Sequence, residues 1–376
     1  MILRLADHVA PFLVLAAGLA GCARGHGLGI ETTSSGSGGA GGASATVTGS
    51  SGSKTTGSGG GNGGDASTTT TSGSGTGGAE PVGPTRVTIV NGVNDYDAIR
   101  VCFASFPAGD PGAKPWPSAA SGLPFARGAV LDLAVDIPPG TDVRPTIFAG
   151  DLTKMAGKTC DEATALALAD AADPNQQTPL LSAALAVLPG PVFTSGKSLL
   201  LAPIGCLGGP GHDGGNAGLA CGFNYSPSTP TIDLVALGMS RKIDPNHVAL
   251  QIVNAAVALQ PTDIGLTPAI MGAMSLPLAT MLPTGGIEPK PPFTTLATGD
   301  FGPLDTVSIK TYLPGQGTMF VTSDTPLGEA FQNGTVASNQ VVNGGSYVLV
   351  AVGSYPNIPA GAFWHKLTYS LIKANP

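Results

Sequence analysis

From residue 85 onward, short apolar or alternating runs recur along the chain: Arg86–Val90, Ile99–Phe103, Ala129–Val135, Val143–Ala149, Ser198–Ile204 and Thr231–Leu237. Their lengths and their Val, Ile and Leu content predict strands. Between them lie Asn91-Gly92, Pro138-Pro139-Gly140, Gly208-Gly209-Pro210-Gly211 and Ser226-Pro227, turn signals that predict antiparallel β structure rather than a βαβ array. One stretch breaks the pattern. Thr159-Cys-Asp-Glu162 has capping-box spacing with acidic residues in the first turn and leads into Ala163–Ala172, which predicts a helix inserted into the β structure.

The second half repeats the first weakly. Ile89-Val90-Asn91 recurs as Ile252-Val253-Asn254, and Gly196-Lys-Ser-Leu-Leu-Leu-Ala-Pro-Ile-Gly205 recurs as Gly344-Gly-Ser-Tyr-Val-Leu-Val-Ala-Val-Gly353. Two anchors in the same order point to duplication. The architecture predicted is all-β: two tandem Ig-like antiparallel β-sandwich domains over residues 85–240 and 246–376, the first carrying the short inserted helix, with Ser240-Arg-Lys-Ile-Asp-Pro-Asn246 as the joint.

Ahead of them, Glu31 to Glu80 is almost wholly Gly, Ser, Thr and Ala, with Val47 its only large aliphatic residue. Such a stretch cannot bury a core, so residues 22–84 are expected to form a disordered tether. Flexible-chain scaling gives it a mean span of about 45 Å. A plain spacer is the favoured reading over an O-glycosylated or wall-threading segment. Residues 1–21 have a signal-peptide layout: Arg4, then the apolar run Val9–Ala20, then small residues. That run is shorter than the roughly 20 residues that span a bilayer, and no later segment is long and apolar enough to do so.

The tetrad Leu19-Ala20-Gly21-Cys22 resembles the lipobox of bacterial lipoproteins. The resemblance implies lipidation at Cys22 and cleavage before it, giving an exported protein anchored to the cell envelope, at the outer membrane or cell surface. Asp7 departs from the usual leader. The competing reading is an ordinary cleaved signal followed by a coincidental cysteine. Farther on, Val87-Thr-Ile-Val-Asn-Gly92 followed by Ile99-Arg-Val-Cys-Phe103, and the echo Val248–Asn254 followed by Asp263-Ile-Gly-Leu266, resemble an uncharacterised bacterial family of cell-surface β domains of unknown function, often in tandem in lipoproteins. That resemblance implies a surface β-sandwich and supplies no catalytic residues.

Composition narrows the picture. Gly 56 and Pro 33 against 11% charged and 5% aromatic residues argue against helix-dominated folds. The net charge of −7 includes no run of Lys or Arg, so no nucleic-acid partner is expected. Setting Cys22 aside leaves Cys102, Cys160, Cys206 and Cys221, an even number that favours disulfides in an exported chain. Cys206 and Cys221 flank a Gly-rich loop and form the natural pair. Cys102 with Cys160 then follows by elimination, although four cysteines allow three connectivities.

Candidate chemistry is sparse, and no cofactor or metal is expected. Thr194-Ser-Gly196-Lys-Ser198 is a fragment of a phosphate loop, but Pro191 stands where the loop needs glycine, so a turn entering a strand is the better reading. His26, His212, His247 and His365 lack zinc-ligand spacing, and no G-x-S-x-G elbow precedes a helix. Asn94-Asp95-Tyr96-Asp97 offers oxygens to a cation, and His212-Asp213 offers a metal-ligand pair, each against the plainer reading of a polar loop. Trp116 and Trp364 read as packing residues ahead of sugar- or partner-stacking ones.

Two functions are carried forward. The first is a non-enzymatic surface module for adhesion, envelope interaction or ligand capture, whose partners are the membrane through its lipid and an envelope polymer, glycan or protein ligand. The second is an extracytoplasmic hydrolase or carbohydrate-active protein with a dispersed site. Asp95 or Asp97 meeting His212 or His365 in a lined cleft would favour the second.

Overall fold

A computed structural model describes residues 83–375 apart from Pro174 and residues 214–216, 258–261, 269–274, 290–294, 303–305, 315–320 and 355–362. The predicted signal peptide, Cys22, His26 and all but the last two residues of the tether lie outside the described residues. With 41% strand against 18% helix, arranged in four sheets, the protein is mainly β.

In the first half the strands are β1 (Arg86–Val90), β2 (Ala98–Phe106), β3 (Gly128–Val130), β4 (Asp142–Gly150), β5 (Leu180–Ala184), β6 (Ser198–Gly205) and β7 (Asp233–Met239). In the second half they are β8 (Val248–Asn254), β9 (Thr262–Pro268), β10 (Leu276–Leu282), β11 (Val307–Tyr312), β12 (Val321–Pro326), β13 (Ser346–Val352) and β14 (Thr368–Lys373). Four two-residue strands supplement these. One sheet of the first half runs β7-β6-β1-β3 and the other β2-β4-β5, with Leu123–Pro124 on the outer edge of β2. In the second half the orders are β14-β13-β8, with Ile287–Glu288 and Thr295–Leu296 on β8, and β10-β9-β11-β12. Each half thus builds the same pair of sheets.

Alternation along the central strands explains the layering. Val87 and Ile89 of β1, with Leu199 and Leu201 of β6, share a core with Ile99, Val101 and Phe103 of β2 and Ile147 of β4. The opposite face of these strands sends Val90, Leu200, Ala202 and Ile204 into a second core with Val253, Val348, Val350, Val352 and Ile372 of the other half. Leu250, Ile252, Tyr347, Leu349 and Leu371 then pack with Ile264, Leu266 and Ile309. Buried Val, Leu and Ile side chains contribute about 1.5–3 kcal/mol each, so the seam between the halves is itself a core.

Burial on both faces fits a departure from expectation. The central pairs β1–β6 and β8–β13 run parallel, with Val87 opposite Leu199 and Ile252 opposite Leu349, and the two-residue strand Gly92–Val93 continues the parallel pairing along β6; the other strand pairings among the described residues are antiparallel. Unbroken apolar runs such as Leu199-Leu200-Leu201 belong to strands covered on both sides, which is where parallel pairing occurs.

The repeat holds at atomic detail. Asn91 donates from Nδ2 to the Leu123 carbonyl and accepts from the Val93 amide; Asn254 donates to the Leu282 carbonyl and accepts from the Ala256 amide. Gly205 and Gly353, at φ 97° and 99°, stand where a Cβ would come within 2.2 Å of the Thr231 carbonyl oxygen and 2.3 Å of that of Lys366.

Short helices decorate this frame: α1 (Leu133–Asp136), α2 (Cys160–Ala172), α3 (Ala217–Cys221) and α4 (Leu327–Asn333). The reciprocal Thr159–Glu162 capping box starts α2 as its sequence predicts. It lies in the β4–β5 connection, residues 151–179, whose counterpart between β11 and β12 is only 313–320. The run Ala129–Val135 is a strand only to Val130. Asp132 then caps α1, accepting from the Ala134 amide, and this local bond diverts the chain from the sheet. The joint is pinned: buried Arg241 donates to Ser198 Oγ at 2.8 Å and to the Pro84 carbonyl at 2.6 Å, while Ser198 Oγ donates to the Ala374 carbonyl.

Candidate functional site

Two disulfides close, Cys206–Cys221 across the Gly-rich loop and Cys102–Cys160, the pair left by elimination. Cys102–Cys160 ties α2 to β2. Cys206–Cys221 closes the loop after β6. All four cysteines are buried, and the pairs point to an extracytoplasmic protein.

At the open end of the seam lies a cleft of about 730 Å³, lined from the first half by Asp95, Tyr96, Asp97, Asp151, Gln177 to Pro179 and His212, and from the second by Phe363, Trp364 and His365. Its floor is built on Asp95, whose side chain is fully buried. One carboxylate oxygen accepts from the Leu207 amide at 3.0 Å; the other accepts from the Gly208 amide at 2.8 Å and meets His212 Nδ1 at 3.1 Å. Asp95 thereby fixes the loop that carries His212. Asn94 ties three pieces together: its amide donates to the Gly205 carbonyl, its Nδ2 to the Ala220 carbonyl, and its carbonyl accepts from the His365 amide.

Aromatic rings form the walls. The His212 imidazole lies 4.8 Å from Tyr96 and 4.2 Å from Phe363, with Trp364 edge-on at 6.1 Å. Trp364 also packs with Cys206 and Cys221, so the loop disulfide backs the cleft. Tyr96 Oη donates to the Gly208 carbonyl, and burial, then the Asp95 charge, pushes its pKa up. His365 stacks on Phe125 at 3.9 Å, nearly parallel. Burial holds its pKa below the ordinary value, against the opposing pull of Asp97. Its Nε2 lies 3.5 Å from Asp97 Oδ1, too long for a good hydrogen bond, and the Asp97 side chain is fully exposed.

The structure therefore brings Asp95 to His212 and Asp97 to His365 within one cleft. The cation reading of Asn94 to Asp97 gains no support, because the Asp95 oxygens already accept three hydrogen bonds. His212 is buried and Asp213 exposed, so these neighbours do not form a pair, and among the described residues no three His, Cys, Asp or Glu side chains form a metal cluster. Residues 194–198 make a turn into β6, with Gly196 donating its amide to Thr85 Oγ1. His247 pairs with Asp244 in a turn away from the cleft. Trp116 bridges to Val101 by two backbone hydrogen bonds and packs on the first core.

Sequence reasoning missed Phe363, Gln177, Thr178 and the structural role of Asp95. The triplet Phe363-Trp364-His365 was the available signal, since three adjacent rings are unusual in a chain with 5% aromatic residues. The chain matches no family model and no curated protein.

Proposed function

We propose that this protein is an exported, lipid-anchored binding module whose seam cleft captures a neutral or amino-bearing glycan of the cell envelope. The reading rests on one observation: rings from both halves, Tyr96 and His212 on one side and Phe363 and Trp364 on the other, converge at a cleft lined by Asp97 and Asp151. Aromatic faces take the apolar faces of sugars, and carboxylate and amide groups accept their hydroxyls. The carboxylates, with no Lys or Arg among the lining residues, disfavour anionic ligands. Each half is read as a β-sandwich of the resembled surface family, with acylated Cys22 as the anchor and the Gly/Ser/Thr stretch as the tether. Glycan-array binding by the full-length protein in detergent tests the ligand class. Binding lost in Phe363→Ala and Asp97→Ala supports it, and an array without signal refutes it. Loss of fatty-acid labelling in Cys22→Ser tests the anchor.

A hydrolase is the second reading, favoured by the Asp95–His212 pair at the cleft, since a buried carboxylate that orients an imidazole is a general-base arrangement. Against it, among the described residues no hydroxyl or thiol is hydrogen-bonded to either imidazole. Release of reducing ends from a bound glycan, abolished in His212→Gln, would favour this reading.

A further inference from the structure

A second cavity of about 570 Å³ lies on the other side of His365, lined by Phe125, Thr322, Ser323, Asp324, Glu329, Asn333 and Lys366 among others. His365 belongs to the walls of both cavities. Its ring is stacked on Phe125, which lines the second cavity, and Asp97 flanks its Nε2 on the side of the first. Backbone hydrogen bonds hold this ridge in place: the Phe125 amide donates to the Asp97 carbonyl at 2.7 Å, and the His365 amide to the Asn94 carbonyl at 3.0 Å. The ridge is therefore built from both halves.

We infer that the two cavities are successive subsites of one groove crossing the Phe125–His365 ridge, and that the ligand is a linear oligosaccharide rather than a monosaccharide or other small molecule. This rests on the glycan reading of the first cavity. Each cavity alone lies within the roughly 300–1,000 Å³ of a small-molecule site; a ligand occupying both must be elongated. The lining chemistry changes along the groove. The first cavity offers ring surface and carboxylates, whereas the second is lined by the hydroxyls of Thr322 and Ser323, the Asn333 side chain, whose Nδ2 already donates to the Tyr369 carbonyl, and charges of both signs at Lys366 and at Asp324, which lies 3.5 Å from Lys310 Nζ. Hydroxyl and amide side chains exchange hydrogen bonds with sugar hydroxyls in either direction, and the partly exposed Phe125–His365 stack stands between the two cavities.

Cello-, chito- and manno-oligosaccharides of one to six units are titrated by calorimetry against the full-length protein, Asp324→Arg and Lys366→Ala. Both replaced side chains are exposed, and urea unfolding checks that each variant folds like the wild type. The expected result is at least a tenfold gain in affinity from dimer to hexamer in the wild type for one of the series. That gain should flatten in Asp324→Arg while dimer affinity stays unchanged. Dimer and hexamer binding equally, or length dependence surviving in both variants, overturns the groove and leaves the first cavity as the whole site. No binding in any series overturns the glycan reading itself and the groove with it.

Discussion

Asp95 is the residue on which the geometry of the cleft depends, and its removal is a direct test of that geometry. The substitution Asp95→Ala deletes an acceptor serving the amides of Leu207 and Gly208 and the Nδ1 of His212, at a fully buried position. A buried donor left without an acceptor costs about 1–3 kcal/mol, and bonds to a charged acceptor lie toward the upper end. The imidazole can change tautomer, so the two amides dominate, and the loss expected is about 3–5 kcal/mol. That is a large part of the roughly 5–15 kcal/mol by which folded proteins are stable. Asp95→Asn keeps one acceptor oxygen but turns an NH₂ toward a donor, and should cost about 1–3 kcal/mol. Urea unfolding gives the free energies, and native-state hydrogen exchange reports the two amides separately. A loss under about 1 kcal/mol in Asp95→Ala, with exchange at Leu207 and Gly208 unchanged, would refute the claim that this carboxylate holds the loop.

Three further outcomes are expected. Gly205→Ala and Gly353→Ala each force a Cβ onto a carbonyl oxygen at positive φ, so both should lose at least about 2 kcal/mol; thermal unfolding showing one position tolerant would break the equivalence of the halves. Replacing Cys206 and Cys221 by Ser opens a loop of sequence separation 15 and should cost about 3 kcal/mol, read as a lower denaturant midpoint together with faster exchange around His212. Because burial holds the His365 pKa below its ordinary 6.5, the unfolded chain binds a proton more readily than the folded one. The stability due to the neutral ring is complete above about pH 6.5 and falls as the pH drops below it; His365→Phe should flatten that decline in unfolding midpoint between pH 7 and 5, and identical slopes would count against it.

The sequence by itself determined the local and the repeated. Apolar runs at strand length set β1, β2, β4, β6 and β7 to within a few residues, because each strand buries the side chains that define it. Thr159 and Glu162 started α2 because a capping box is satisfied within four residues. The echo of Ile89-Val90-Asn91 at residues 252–254 marked the duplication because both asparagines perform the same buried hydrogen bonding. The even cysteine count favoured disulfides and the Gly-rich loop favoured Cys206 with Cys221, but three connectivities stayed open until the structure closed Cys102–Cys160 and Cys206–Cys221. Only the tertiary structure decided what lies between distant segments: the parallel pairing of β1 with β6, the shared core that fuses the halves, Arg241 sealing the joint, and the meeting of Asp95 with His212 and of His365 with Phe125. Those contacts join residues far apart along the chain, and pairing across such separations is set by which faces stack on which. Local pattern carries no record of that choice.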